Sequence, residues 1–321
     1  MSLYGRKLWR EVKGEKGQSL AVATVTGLGV TLFIISAGAY RDLRDSYAAT
    51  RTRLQLAALH VALPKVDEAG LEAVRAVPGV AVAEPRLELE VPVAPAGGRA
   101  TLRLLSLPDG REPALDRLLV LEGALPAGER EVVLEKHFAR HHQLVPGAKV
   151  KLGADGGELT VTGVAVSAEY LWVARDETDF MPSPAQFGVG WMRRAAQRQL
   201  GGALLSGDGA GLASDALALA SSDAPGNQVL VGLRPRVVAK DAAAAVELAL
   251  GGGAQVRATP SDELVGVKLM QMDLDGYKGM AAFFPFFFLG VGAFIVGSAL
   301  ARRVDAQREL IGTLMALGVS R

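Results

Sequence analysis

Two long stretches without a charged residue constrain this chain more than any other feature. Residues 19–40 read SLAVATVTGLGVTLFIISAGAY, and residues 280–301 read MAAFFPFFFLGVGAFIVGSALA. At about 1.5 Å of rise per residue, a helix over either run covers about 30 Å, the thickness of the hydrocarbon core of a bilayer. We therefore predict transmembrane helix 1 at residues 19–40 and transmembrane helix 2 at residues 280–301.

The first apolar run is too long for a cleaved signal peptide, whose apolar region has about 7–15 residues. Basic residues precede it, and further arginines follow the second run. Loops on the cytoplasmic side of membrane proteins carry an excess of basic residues. We therefore expect the chain to lie in the cell (inner) membrane with both termini in the cytoplasm. Arginines also begin the loop at 41–279, but long loops cross the membrane largely regardless of charge. This loop is therefore the predicted extracytoplasmic domain.

The segment before the first span, residues 1–18, mixes apolar and aromatic side chains with basic ones. This pattern is typical of a short helix lying on the cytoplasmic surface of the membrane. A basic leader without regular structure is an equally good interpretation of the same residues.

Between the spans, the apolar patterning predicts an α+β domain on two helical stalks. Helices are expected at 67–77 and 241–250, and strands around 80–93, 100–107, 229–235 and 254–260. These segments would form one α/β subdomain from the two ends of the loop. A smaller β-rich subdomain is predicted between about 115 and 190, with a hairpin turn at 155–157.

Several functional classes are excluded or disfavoured by composition and motifs. The formal charge is only +1 and there is no cysteine, which disfavours nucleic acid as a partner and excludes thiol chemistry. No phosphate-binding GxxxxGK[ST] loop and no hydrolase motif occur. We therefore expect no enzymatic activity, no cofactor and no ATP bound by the chain itself.

One group of histidines and one aromatic segment are candidate sites. His137 and His141 are spaced to share a helix face with His142 beside them, which is compatible with zinc. Neighbouring Lys136 and Arg140 disfavour a cation, so the prediction is a solvated helix end and no metal. The aromatic segment at 170–192 is predicted to pack on its own domain, with an apolar binding surface as the alternative.

The two ends of the chain resemble a known family. After the second span the sequence reads RRVDAQRELIGTLMALGVSR, and the start contains LWR at 8–10 and GQS at 17–19. Together with VPGVAVAEP at 77–85 and GALPAGEREVVL at 123–134, these motifs are similar to FtsX/MacB-like ABC transporter permeases and their periplasmic core domain. The matching residues of the final motif are Arg302, Arg303, Gln307, Arg308, Ile311, Gly312, Leu314, Ala316, Leu317 and Gly318.

The resemblance implies a dimeric permease, as a homodimer or heterodimer, whose subunits each bind a cytoplasmic ABC ATPase. Nucleotide-driven movement of the ATPase would move the extracytoplasmic domain for export, extraction or mechanotransmission. The contact would lie in residues 302–321, the start of a coupling helix. The implied contact residues are Arg308, Glu309, Ile311, Gly312, Leu314, Leu317 and Gly318.

The family's membrane domain has at least four spans, whereas two are predicted here. The expectation is therefore the N-terminal half of a permease, as a fragment or as one piece of a split system, with the coupling helix cut short. A two-span receptor with an extracytoplasmic ligand-binding domain is the alternative.

Overall fold

The computed structural model describes residues 16–95, 98–153, 157–176, 179, 182–206, 222–306, 308, 312, 313 and 316. The helices are α1 Lys16–Arg53, α2 Glu68–Ala76, α3 Lys136–His141, α4 Arg194–Ser206, α5 Ala239–Ala249 and α6 Val265–Ala306. The strands are β1 Leu59–Val66, β2 Val80–Arg86, β3 Glu88–Ala94, β4 Ala100–Leu107, β5 Leu118–Gly123, β6 Glu131–Glu135, β7 Lys149–Leu152, β8 Glu158–Ser167, β9 Phe187–Arg193, β10 Gly226–Leu233 and β11 Arg257–Pro260. They form two compact units, which we call the helical unit (Met1–Ser46 and Met272–Arg321) and the sheet unit (Tyr47–Gln271).

The helical unit contains the apolar parts of α1 and α6. Both helices are long and apolar enough to cross a membrane, over Leu20–Arg53 and Val265–Arg302. They approach each other closely at Gly29, where a Cβ atom would lie only 2.6 Å from the Cβ of Phe288. Gly27 of α1 and Gly297 of α6 do not take part in this contact, because a Cβ at either position would meet no atom within 4 Å.

A four-stranded antiparallel sheet forms one part of the sheet unit, in the order β11-β1-β10-β2. Its first helix, α2, begins where the Asp67 carboxylate accepts a hydrogen bond from Gly70 N, an N-cap that satisfies a free backbone donor. Leu71 and Val74 of α2 are buried against the same core as Val246 of α5. The apolar faces of these two helices therefore cover one face of the sheet.

The second sheet has seven strands and closes on itself. Its order is β5-β8-β6-β9-β4-β3-β7, and β7 also pairs with β8. Six strands thus form a ring, while β5 pairs with β8 outside it. Alternating side chains such as Leu102, Leu104 and Leu134 fill the interior and are fully buried. The pairing of β7 with β8 closes this ring, so β7 does not form an open edge of the sheet.

The outer face of β9 carries Phe187, Val189 and Trp191, which pack with Tyr170 in a separate buried cluster. The inner face of the same strand has Gly188, where a Cβ would lie 2.3 Å from ring atoms of Phe138. Phe138 is itself completely buried. The Phe138 side chain therefore occupies the space inside the closed sheet that a side chain at position 188 would otherwise fill.

The predicted α+β class is confirmed, with two apolar helices flanking a sheet-rich unit. One difference concerns the relative size of the two parts. β3 and β4, expected in the α/β part, pair with each other and join β9 and β7 of the closed sheet. The β-rich part therefore begins at Glu88 and has seven strands, so it is the larger of the two and not the smaller.

Candidate functional site

The predicted ATPase-contact segment is described only in part. Arg308 and Gly312 are helical and exposed, and a Cβ at Gly312 would meet no atom within 4 Å. The remaining predicted contact residues, Glu309, Ile311, Leu314, Leu317 and Gly318, lie outside the described residues. The contact with an ATPase stays a prediction.

Two of the three histidines near α3 have separate hydrogen-bond partners, and the ring of His141 contacts that of His142. His137 Nδ1 lies 2.7 Å from Glu135 Oε1, and Glu135 also accepts hydrogen bonds from the backbone of His137 and Phe138. His142 Nε2 lies 3.1 Å from the carbonyl oxygen of Pro184. Within the described ranges, the group that could hold a metal ion is a different one, His60, Asp116 and Glu169.

These three side chains and Arg86 form what we call the ion cluster. His60 lies on β1, Arg86 ends β2, Asp116 precedes β5, and Glu169 follows β8. All four residues are at least nine-tenths buried. The cluster therefore joins the four-stranded sheet to the closed sheet through charged groups that are removed from water.

Arg86 makes the strongest contacts of the ion cluster. Its Nη1 and Nη2 donate to the two carboxylate oxygens of Glu169 at 2.6 and 2.9 Å. Nη1 also lies 3.4 Å from Asp116 Oδ2, and Nε donates to Gln228 Oε1 at 2.8 Å. Such a two-point pair between a guanidinium and a carboxylate fixes both the distance and the orientation of the groups.

Besides its contact with Arg86, the Asp116 carboxylate accepts from His60 and from the backbone of Ala57. His60 Nε2 lies 2.8 Å from its Oδ2, and the backbone N–H of Ala57 donates to its Oδ1 at 2.8 Å. The Asp116 backbone N–H donates in turn to the carbonyl oxygen of Gln55 at 2.9 Å. Both Gln55 and Asp116 have positive φ angles, 52° and 47°, a region that side-chain-bearing residues occupy only when their surroundings hold them there.

The charges of the ion cluster shift the pKa values of its members. Burial would lower the pKa of His60, but the negative charges of Asp116 and Glu169 outweigh this effect and raise it to about 9. Burial would raise the pKa of Glu169, but Arg86 and His60 hold it well below its usual range. At neutral pH the cluster is therefore two cations paired with two carboxylates.

A metal ion does not fit the ion cluster. The Arg86 guanidinium already lies between Asp116 Oδ2 and Glu169 Oε2, at 3.4 and 2.6 Å, where a shared cation would bind. The charge of the two carboxylates is balanced by Arg86 and by protonated His60. The cluster is best described as an internal salt-bridge network, not a metal centre.

The ends of the two long helices lie beside this network within the sheet unit. Arg51, in the last turn of α1, donates from Nη2 to Ser261 Oγ at 2.9 Å, four residues before α6 begins. In the first turn of α6, a Cβ at Gly266 would lie 2.5 Å from the Trp172 carbonyl oxygen and 3.3 Å from that of Glu169. Glycine thus lets the start of α6 pack directly on the backbone that carries Glu169.

A cavity of about 200 Å³ lies next to the ion cluster. Its wall includes His60 and Glu169 from the cluster, the aromatic rings of Tyr170 and Trp172, and the start of α6. Tyr170 is buried and Trp172 is exposed. The predicted packing of the aromatic segment on its own domain therefore holds for Tyr170, while Trp172 contributes to a concave surface.

Neither the ion cluster nor the cavity was anticipated from the sequence. Arg86 and Glu169 are 83 residues apart, and His60 and Asp116 are 56 apart. A weak signal did exist, since Arg86 lies within the strand expected at 80–93 and Glu169 follows an apolar strand pattern. Charged residues at such positions are common on surfaces, so the pattern alone could not separate these two from the rest.

Comparisons with known proteins give structural likenesses only. No protein-family model matches the chain, and no curated protein matches it. The extracellular domain of the noncanonic ABC-type transporter YknZ from Gram-positive bacteria is similar, with 13% identity and a TM-score of 0.36, over 63% of this chain and 98% of that one. The periplasmic region of MacB from Actinobacillus actinomycetemcomitans is similar with 10% identity and a TM-score of 0.36, over 67% of this chain and 91% of that one.

Proposed function

We propose that this chain is a membrane permease subunit of an ABC transporter, or the N-terminal part of one. In this role it couples a partner ATPase in the cytoplasm to movement of the sheet unit on the other side of the membrane. The observation that carries the proposal is the pair of uninterrupted helices α1 and α6, which each combine an apolar span with a polar extension.

The lengths of the two helices support transmission of movement. α1 has 38 residues and α6 has 42, which correspond to about 57 and 63 Å at 1.5 Å per residue. A bilayer core requires only about 30 Å. Each helix therefore extends well beyond the span, and the span and its extension form one continuous helix, in which Pro285 of α6 has no N–H to donate.

The exposure of the apolar side chains supports a lipid environment. The most apolar windows of the two helices are only 11% and 6% buried within the chain. Phe286 and Phe294 of α6 are 83% and 76% exposed. The core helix of a soluble protein would bury such side chains, whereas a bilayer or neighbouring spans cover them in a membrane protein.

The segment after α6 is the proposed site of ATPase contact. It carries the motif that resembles the family, with Arg308 and Gly312 both exposed. An exposed helix with a basic side chain and a glycine that permits close approach is suited to a groove on a partner. ATP hydrolysis would then occur in the partner, and a second permease subunit would complete the membrane domain.

Co-purification tests this proposal. The full chain, expressed with any ABC ATPase that is encoded beside its gene, should retain that ATPase through detergent extraction and affinity purification. Gly312→Asp, and removal of residues 306–321, should each abolish retention because they alter the proposed contact. Gly276→Asp is a matched control, because this glycine also lies on α6 without atoms within 4 Å of an added Cβ.

The outcomes separate the permease from a receptor. Retention of the ATPase by both altered chains, or its equal loss with Gly276→Asp, would contradict the coupling assignment. A receptor instead predicts that no ATPase is retained and that an added ligand alone changes the environment of α6.

A further inference from the structure

We propose that the closed sheet is a body of its own that rotates against the four-stranded sheet, and that the ion cluster is the latch between them. The hinge lies where the chain leaves β2 for β3 and where it returns to β10. This inference concerns the sheet unit alone and does not depend on whether the chain binds an ATPase. It is carried by the chain connections, by the separate cores and by the polar contacts between the two sheets.

The closed sheet is inserted into the four-stranded sheet. Its strands, β3 to β9, all lie in sequence between β2 and β10, so the chain crosses between the sheets at Leu87 and again just before Gly226. The two crossings touch, because a Cβ at Gly226 would overlap the carbonyl oxygen of Arg86. Glu88 and Asn227 also exchange two hydrogen bonds, of 2.8 and 3.0 Å. Two adjacent connections allow rotation through changes at only a few backbone positions.

Each sheet has a hydrophobic core of its own. Side chains of β1, β2, β10, α2 and α5 form the core of the four-stranded sheet, whereas side chains of β3, β4 and β6 to β9 form that of the closed sheet. Among the described residues, the buried apolar cluster with members in both parts contains the three side chains of Ala57, Leu115 and Leu230. A boundary with so little apolar contact permits relative motion of the parts that it joins.

The two carboxylates of the ion cluster belong to the closed sheet and lie side by side. Leu118 of β5 lies opposite Ser167 of β8. Asp116 and Glu169 each lie two residues beyond this pair, at the same end of the two strands. Like charges at opposed positions of neighbouring strands repel each other. The closed sheet alone therefore presents a pair of carboxylates that requires compensation.

The four-stranded sheet supplies this compensation. Arg86 on β2 donates to both oxygens of Glu169, and His60 on β1 lies 2.8 Å from Asp116 and 3.7 Å from Glu169. When the sheets separate, all four charges regain their hydration. Because desolvation offsets much of the attraction within a buried ion pair, such a latch opens more readily than an apolar contact of the same size.

Backbone hydrogen bonds hold the same boundary beside the ion cluster. Arg117 N donates to the carbonyl oxygen of Leu54 at 2.8 Å, and Glu84 accepts from the backbone N–H of Ala114 at 2.9 Å. Water replaces such partners when the groups become exposed, so each bond adds little net free energy. These bonds therefore fix the closed position without preventing its release.

The cavity of about 200 Å³ lies along this boundary. Ala62 and Thr259 of the four-stranded sheet and Arg103 of the closed sheet are parts of its wall. Protein cores are packed without voids of this size, so the boundary is not filled as either core is. The cavity gives water a route to the ion cluster as the latch opens.

Both long helices are attached to the four-stranded sheet. Ala58, between α1 and β1, donates its N–H to Val231 of β10 at 2.8 Å, and Ser261, directly after β11, donates its N–H to the Ala58 carbonyl oxygen at 2.9 Å. Rotation of the closed sheet leaves these bonds intact. The contact between Gly266 of α6 and the Trp172 carbonyl oxygen lies on the boundary and opens with the latch.

Double electron–electron resonance on the full chain in lipid nanodiscs tests the proposal. Spin labels on Ala69→Cys in α2 and Lys151→Cys in β7, both exposed positions, report the separation of the two sheets. The chain has no other cysteine that would take up label. With the latch intact we expect one dominant distance and a second, open population below about 10%.

Two substitutions open the latch. Asp116→Asn removes the charge that pairs with His60, while asparagine tolerates the left-handed backbone of this position, with φ of 47°. Glu169→Gln removes the charge that pairs with Arg86. Since loss of one partner leaves the other charge buried and unpaired, each change should raise the open population to about half or more.

Glu135→Gln is the matched control. Glu135 is a buried carboxylate that lies 2.7 Å from a histidine nitrogen, as Asp116 does, but its partner His137 belongs to the same sheet. This substitution should leave the distance distribution unchanged. Hydrogen exchange on the same chains should show that β4 and β9 keep their protection in Asp116→Asn and Glu169→Gln, because the closed sheet rotates as an intact body.

Three results would overturn the proposal. The first is an unchanged distance distribution in both Asp116→Asn and Glu169→Gln. The second is an equal change in Glu135→Gln, which would indicate a general effect of losing a buried carboxylate. The third is loss of protection in β4 and β9 together with the change in distance, since the ion cluster would then maintain the fold of the closed sheet itself.

Discussion

Arg86 and Glu169 form a two-point ion pair, with nitrogen–oxygen distances of 2.6 and 2.9 Å, between the end of β2 and the segment that follows β8. The pair is buried, and it connects residues of the four-stranded sheet and the closed sheet. Because charges in such a place have lost their hydration, each depends on the other for stabilisation.

Neutralising one partner should therefore destabilise the sheet unit. We expect Glu169→Gln to lower the free energy of unfolding by about 3–5 kcal/mol, because Arg86 is left buried without its main counter-charge. Urea unfolding of the full chain in detergent, followed by near-ultraviolet circular dichroism, measures the change. Glu72→Gln removes one partner of the exposed pair with Arg75 and should change it by less than about 1 kcal/mol. Equal effects of the two substitutions would contradict the role of burial.

The stability of the sheet unit should fall as the solution becomes alkaline. The pKa of His60 is raised to about 9 in the folded chain, against about 6.5 in an unfolded one. Protonated His60 therefore contributes stability that is complete below about pH 6.5 and is lost as the pH rises through about 9. Unfolding free energies of the unaltered chain and of His60→Gln should differ by about 3 kcal/mol near pH 6 and should converge by about pH 10. A constant difference between the two chains over this pH range would show that the pKa of His60 is not raised.

Packing around Phe138 should not tolerate a side chain at Gly188. A Cβ there would lie 2.3 Å from two ring atoms of Phe138, so Gly188→Ala should destabilise the sheet unit by about 1–3 kcal/mol through overpacking. Gly253→Ala is the control, because its Cβ would meet no atom within 4 Å. The thermal unfolding temperature of each chain measures the difference, and an unchanged value for Gly188→Ala would contradict the packing.

The close approach of α1 and α6 can be tested by cross-linking, since the chain has no cysteine of its own. A Cβ at Gly292 would lie 3.7 Å from Thr26 Oγ1, so side chains at these two positions are in contact across the two helices. The double variant Thr26→Cys, Gly292→Cys should therefore form an intramolecular disulfide on mild oxidation in membranes. The pair Gly27→Cys, Gly297→Cys should not, because neither position has a neighbouring atom. Electrophoretic mobility in non-reducing gels shows for each cysteine pair whether the disulfide has formed.

Membrane orientation predicts opposite labelling of two exposed positions. Glu112→Cys, in the sheet unit, should react with a membrane-impermeant maleimide in intact cells. Asp305→Cys, beyond the second span, should react only after the membrane is permeabilised. Equal labelling of both in intact cells would overturn the proposed topology.

Local features of this chain could be predicted because neighbouring residues decide them. The helix expected at 67–77 appears as Glu68–Ala76, capped by Asp67, because the cap and the apolar periodicity lie within one short segment. The turn expected at 155–157 lies mostly outside the described residues, and the strands on either side of it, β7 and β8, are antiparallel neighbours. The two apolar spans likewise follow from uncharged length alone.

Features that depend on distant residues could not be predicted in this way. β3 carries the same alternating pattern as any half-buried strand, and only its pairing with β4 and β7 places it in the closed sheet. The predicted boundary at residue 115 therefore fell inside the larger sheet. Strand patterns specify which face is buried, but several partners can satisfy the same face.

The sequence by itself determined that this chain has two helices long and apolar enough to span a membrane, with an α+β region between them, because uncharged length and short-range periodicity are local properties. Only the tertiary structure decided which charges are buried. Arg86 and Glu169 are 83 residues apart and come together because two separate sheets meet. The protonation state of a charged side chain and its effect on stability depend on its solvation and its partners, and both are set by the packing of distant segments.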